Sequence, residues 1–213
     1  MREVKILLHS DSEIESIVTE FKNESDRATV ILGAAKIDAQ LYLLLSKFLK
    51  PSISSQDELL DGDNALGTLS SKISIAYRLG LIDAHFAKSL HLIRKIRNSF
   101  AHEFKTMSIA SGGHADRVRE LSVHFKDYVG YIDYKESYFG KDDKLDHDLK
   151  IILAIAIIRL DTAIHYAVSV ANSGVTLIPP IWKKKLKASD QKKTSVKKNA
   201  SVKKKTPPPK AFT

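Results

Sequence analysis

The spacing of apolar residues restricts the fold of this chain more than any other feature. Over most of its length they recur at intervals of three and four, the repeat of a helix with one face on a core. The pattern predicts a helix over residues 12–21 and a long one over 25–49, stopped by Pro51, which cannot continue a helix. A polar loop over 51–64 follows, with Asp63 or Asn64 as the cap of the next helix. That helix carries Leu66, Leu69, Ile73, Ala76 and Tyr77 on one side, and Gly80 ends it. Asp83 caps a helix running to about His102, Gly112-Gly113 form a loop, and helices follow over about 115–126 and 145–172. Residues 128–140 are ambiguous by pattern and allow irregular structure. The expected fold class is all-α, a compact multi-helix bundle of about five to seven helices.

Charge divides the chain differently. Of 213 residues, 34 are Lys or Arg and 25 are Asp or Glu, for a formal net charge of +9. From Lys183 onward there are twelve lysines against the single acid Asp190, a net of +11. That leaves 22 basic and 24 acidic residues in the first 182, a net of −2. The expected organisation is a helical bundle domain over 1–182 and a disordered lysine-rich C-terminal tail over 183–213. The tail repeats Ser-Val-Lys-Lys at Ser195 and Ser201 and then runs through Pro207 to Pro209, a composition too poor in apolar area to fold alone. Two readings of it stay open: an arm for non-specific polyanion binding, or a solubilising extension.

Several classes of function are excluded by residue type. With no cysteine, the chain has no disulfide framework, thiolate metal site or cysteine nucleophile. Its eight histidines show no metal-ligand spacing, and neither a phosphate-binding glycine loop nor a nucleophile elbow is present. No cofactor and no metal are expected. The most apolar run, Ile151 to Ile158, is far short of the roughly 20 residues that span a bilayer, and the start of the chain lacks a cleavage pattern. A cytoplasmic location without membrane contact is the expectation.

The segment from Asp83 to His102 holds most of the candidate chemistry. At about 100° per residue, Phe86, Leu90, Ile93, Ile96 and Phe100 form an apolar face, while His91, Arg94, Lys95, Asn98 and His102 form a polar stripe. Arg97 projects between Leu90 and Ile93, on the apolar side, so a buried pairing with Asp38 or Asp161 is expected. Arg94, Lys95 and Asn98 are candidate binding residues. The loop acids Asp61 and Asp63 join them as polar candidates, although their spacing resembles a calcium loop only superficially and fits loop and capping roles. The four tyrosines at 128, 131, 134 and 138 fit a cover over one end of the bundle better than a base-stacking surface.

Two family resemblances sit in this region. Arg97-Asn98-Ser99-Phe100-Ala101-His102 resembles the Arg-x4-His motif of the HEPN superfamily, helical bundles that include metal-independent ribonucleases. The resemblance implies that Arg97 holds a scissile phosphate and His102 handles the proton of the attacking 2′-hydroxyl. In one straight helix the two point about 140° apart, so they converge only if the helix ends between them or two chains combine. Nuclease-toxin members often carry a tyrosine two residues after the histidine, where this chain has Phe104.

The second resemblance is longer. Leu59-Leu60-Asp61-Gly62-Asp63, with the helix after it and the turn Leu79-Gly80-Leu81-Ile82-Asp83, resembles the mannitol operon repressor family of bacteria over residues 59–103. It implies a helical regulator of transcription that represses a sugar-alcohol operon without an established DNA-reading element. Helices joined at Gly80 to Ile82 have the outline of a helix-turn-helix. A recognition helix reads bases from its N-terminal end, however, and the stripe lies in the C-terminal half. The favoured reading is a regulator acting through a protein or nucleic-acid partner, as a homodimer. The alternative is a metal-independent endoribonuclease of the toxin–antitoxin kind using Arg97 and His102.

Overall fold

The computed structural model describes residues 11–102, 108–128 and 130–170. The chain divides into units Met1–Gly174 and Val175–Thr213, and everything described belongs to the first. The lysine-rich tail, the boundary at 182 and Phe104 all lie outside the described residues. Those residues contain seven helices and no strand: α1 (Asp11–Lys22), α2 (Asp26–Phe48), α3 (Leu69–Arg78), α4 (Ala84–His102), α5 (Gly112–Phe125), α6 (Tyr131–Phe139) and α7 (Leu145–Tyr166).

The bundle is built around α7. Its side chains from Leu149 to Ile158 are buried on every side, as a helix apolar all round must be. Helices α1, α2, α5 and α6 pack directly on it. The closest approach is at Gly33 of α2, where an added Cβ would lie 2.7 Å from Leu153 Cδ1. A side chain there would push the two central helices apart. Among the described residues α2 is also the one helix long and apolar enough to cross a membrane by length and composition. Eight of its residues, from Thr29 to Leu45, are buried in the bundle, which accounts for that composition without a bilayer.

The α3–α4 hairpin follows the pattern read from its ends. At the close of α3 the Leu81 amide donates to the Ala76 carbonyl and the Gly80 amide to Tyr77, both at 2.9 Å, a Schellman closure that Gly80 permits at φ +72°. Asp83 caps α4 by accepting from the Phe86 amide at 2.8 Å. The other carboxylate oxygen of Asp83 accepts from Arg159 at 3.2 Å, and that guanidinium lies 4.1 Å from the Phe86 ring centre.

Three expectations need correction, and one ambiguity is resolved; the first correction is that Gly112 and Gly113 open α5 in place of a loop. Helix α3 starts at Leu69 with Thr68 as its cap, not at Asp63 or Asn64. The loop before it is wound tightly enough that a Cβ on Gly67 would fall 1.8 Å from the Gly62 carbonyl oxygen, so residues 62–67 form turns in place of a first helical turn. Helix α7 stops at Tyr166, short of 172, where Lys47 donates to the carbonyl of His165 at 3.1 Å and also to that of Ile164. Finally, residues 131–139 are helical. Tyr131 is buried and donates to Asp148 at 2.6 Å, and the Lys135 ammonium is 2.6 Å from the same carboxylate. Burial, reinforced by that bond, pushes the Tyr131 hydroxyl far above the usual tyrosine range. Tyr128, Tyr134 and Tyr138 pack half-buried against the core beside it, the cover that the sequence suggested.

Candidate functional site

The ten residues of α3 extend about 15 Å, and the nineteen of α4 about 28 Å. Because the two run antiparallel from the Gly80 turn, α3 cannot cover the last turns of α4. A groove of about 920 Å³ opens there, bounded by α2, the start of α3 and the end of α4. Its floor is apolar and mostly small: Ile31, Ala34, Ala35 and Ala39 of α2, with Leu43 and Leu69 at its edges. Its walls are polar, with Asp38 and Tyr42 from α2, Thr68, Ser70 and Lys72 from α3, and Arg94, Arg97 and Asn98 from α4.

This geometry overturns the pairing expected of Arg97. Arg97 is exposed, and its guanidinium donates to the neutral amide oxygen of Asn98 at 3.0 Å. The partner of Asp38 is Lys72, at 3.0 Å, whose own side chain is only 6% exposed. Asp161, the other acid expected to pair, is exposed on α7. Arg97 faces an arc of α4 that carries apolar residues one and two turns earlier, but α3, which begins only at Leu69, does not reach that far. What the helical wheel reads as interior is the wall of the groove.

The cations are unevenly satisfied. Lys72 is neutralised by Asp38 and lies 5.7 Å from the Tyr42 ring centre. The Nε of Arg94 is buried with no hydrogen-bond partner among the described residues. A buried donor without an acceptor costs about 1–3 kcal/mol. Three cations against one acid leave the groove at +2, although the first 182 residues sum to −2. Beside it, burial and then the Arg94 and Lys95 charges hold His91 below the usual histidine range.

The other candidate residues are dispersed. Lys95 is exposed and does not line the groove, so the predicted stripe splits, with Arg94 and Asn98 turned into the groove and Lys95 outside it. Asp61 acts at one remove. Its Oδ1 accepts from the Tyr42 hydroxyl at 3.0 Å and its Oδ2 from the Asp57 amide, which ties the loop to the groove wall. That bond to Asp61 raises the Tyr42 hydroxyl above its ordinary range. Asp63 is exposed in the loop and stands away from the groove lining. His102 is exposed at the last position of α4. Since α4 runs unbroken through both residues, Arg97 and His102 diverge within one chain.

No protein-family model matches this sequence, and no curated protein matches it. A solved structure does resemble it. The chain is similar to one in the X-ray structure of the MtlR–HPr complex from Escherichia coli, with a TM-score of 0.51 and 16% identity. The likeness covers 70% of this chain and 98% of that one. At that identity the likeness is one of fold, an all-helical bundle.

Lys72, Tyr42 and Thr68 are the site residues that sequence reasoning passed over. Lys72 carried a signal, since it adjoins Ile73 on the buried side of α3. Tyr42 and Thr68 carried none, because only the packing of α2, α3 and α4 sets them around one groove with Arg94 and Arg97.

Proposed function

We propose that this protein is a helical regulator that works by binding a protein partner, in the manner of the mannitol operon repressor, and represses transcription through that partner. The observation that carries the reading is the fold likeness to a chain of the MtlR–HPr complex, which extends over nearly all of that chain. The resemblance of residues 59–103 to the repressor family agrees with it. The near-neutral bundle domain also lacks the basic footprint that docking on DNA requires. The test is a calorimetric titration of the full chain with purified Escherichia coli HPr at physiological salt. Saturable binding supports the reading; no complex at micromolar concentrations of both proteins overturns it.

The ribonuclease reading retains one specific support: Arg97 and His102 are both exposed and committed to no buried pair. The reading requires a two-fold axis near the ends of two α4 helices, so that one chain's arginine meets the other's histidine. Incubation with RNA in EDTA decides it. Cleavage that His102→Ala abolishes establishes the nuclease, and intact RNA removes it.

A further inference from the structure

The groove between α2, α3 and α4 joins an apolar floor to cationic walls, a composition suited to an anionic ligand with an organic body. We infer that it binds a small phosphate monoester, with the phosphate held by Arg94 and Arg97 against the first turn of α3 and the body of the molecule lying on the alanine floor.

Charge is the first argument. Of the three cations in the groove, Asp38 neutralises only Lys72. The two guanidiniums left over match a dianion in charge, and their planar forks match phosphate oxygens in geometry. The second argument concerns Arg94, which lines the groove while its Nε is buried without an acceptor among the described residues, so no bond at Nε fixes the guanidinium and its terminal NH groups can turn to a phosphate. The third is the α3 terminus. Thr68 and Ser70 line the groove where the positive end of the α3 dipole emerges, and it adds to the field of the arginines. Size and polarity then select the class of ligand. A volume of about 920 Å³ is far larger than a bare phosphate requires and lies in the range of small-molecule sites. Ala34, Ala35 and Ala39 leave space above α2 that larger side chains would occupy. The occupant therefore carries an organic body beyond the phosphate.

The experiment is isothermal titration of the full-length protein with phenyl phosphate, inorganic phosphate and benzoate at constant ionic strength set with chloride. Saturable binding is expected for phenyl phosphate, weaker binding for inorganic phosphate, and weaker still for the monoanion benzoate. Arg94→Gln and Arg97→Gln should each weaken phenyl phosphate by about tenfold or more, the usual loss for one charge-assisted bond. Ala39→Trp fills the groove from an exposed position, leaves every charge in place, and should abolish binding. Circular dichroism of each variant verifies the fold, and any one properly folded variant suffices for the comparison. The inference is overturned if phenyl phosphate shows no saturable binding, or if benzoate binds as well. It is also overturned if all folded variants bind like the parent, which places the anion on the tail lysines. A negative HPr titration leaves these outcomes untouched, because none of them involves a partner protein.

Discussion

At the scale of single residues, the decisive contrast is between two cations that the helical pattern treats alike. Lys72 and Arg97 both lie on the apolar sides of their helices, but the first is buried against Asp38 and the second is exposed. Their substitutions should therefore separate cleanly. Asp38→Ala leaves the Lys72 ammonium buried without its partner and should cost about 2–3 kcal/mol, since a stranded buried charge is more costly than a lost surface contact. Arg97→Ala should fall within about 0.5 kcal/mol of the parent, as exposed positions usually do. Urea melts of the two variants measure both. A large loss for Arg97→Ala would mean that the arginine is buried and the groove closed.

Between elements, α4 meets α5 through a pair of histidines. His85 Nε2 lies 2.9 Å from the His124 carbonyl oxygen, Ser89 Oγ is 3.0 Å from His124 Nδ1, and the two imidazoles sit 4.6 Å apart. Burial, followed by the neighbouring His85, holds the His124 pKa below its ordinary 6.5. The unfolded chain then binds this proton more readily than the folded one, so the contribution is complete above about pH 6.5 and declines as the pH falls below it. Asp83, lowered by its bonds to the Phe86 amide and Arg159 against an opposing burial effect, acts in a separate window below 3.8. His91, also held below 6.5, acts in the same window, so the urea midpoint should fall between pH 7.5 and 5.5 and His124→Gln should reduce that slope without removing it. The α2–α7 contact is steric instead. Gly33→Leu places a side chain where Leu153 already sits, and the strain should cost about 3 kcal/mol. A thermal midpoint equal to the parent's would show that the helices separate freely there.

For the whole molecule, charge and symmetry set the expectations. Residues 1–182 sum to −2 and 183–213 to +11, so deleting 183–213 should abolish salt-sensitive retention on heparin while leaving the helical circular dichroism nearly unchanged. A truncated chain that still binds heparin tightly would place the polyanion site on the bundle. The exposed ends of α4 should form a two-fold interface, and light scattering at micromolar concentration should return a dimer's mass. A monomer would remove the two-chain route to an Arg97–His102 site.

The bundle was legible in the sequence because helical spacing, capping residues and stop signals are local. Gly80, Pro51 and Asp83 act on neighbours within a few positions, and α2 and α4 fall within a residue of where the pattern and these signals put them. The candidate site was legible only in part. Arg94, Arg97 and Asn98 stood out on α4, but their surroundings depended on where α3 begins. That start is decided by the tight packing of Gly67 against Gly62, which no periodicity encodes. A helical wheel assumes that the apolar arc is covered along its whole length. The short α3 breaks that assumption over the last turns of α4, so only the tertiary structure could decide whether Arg97 faced the core or an open groove.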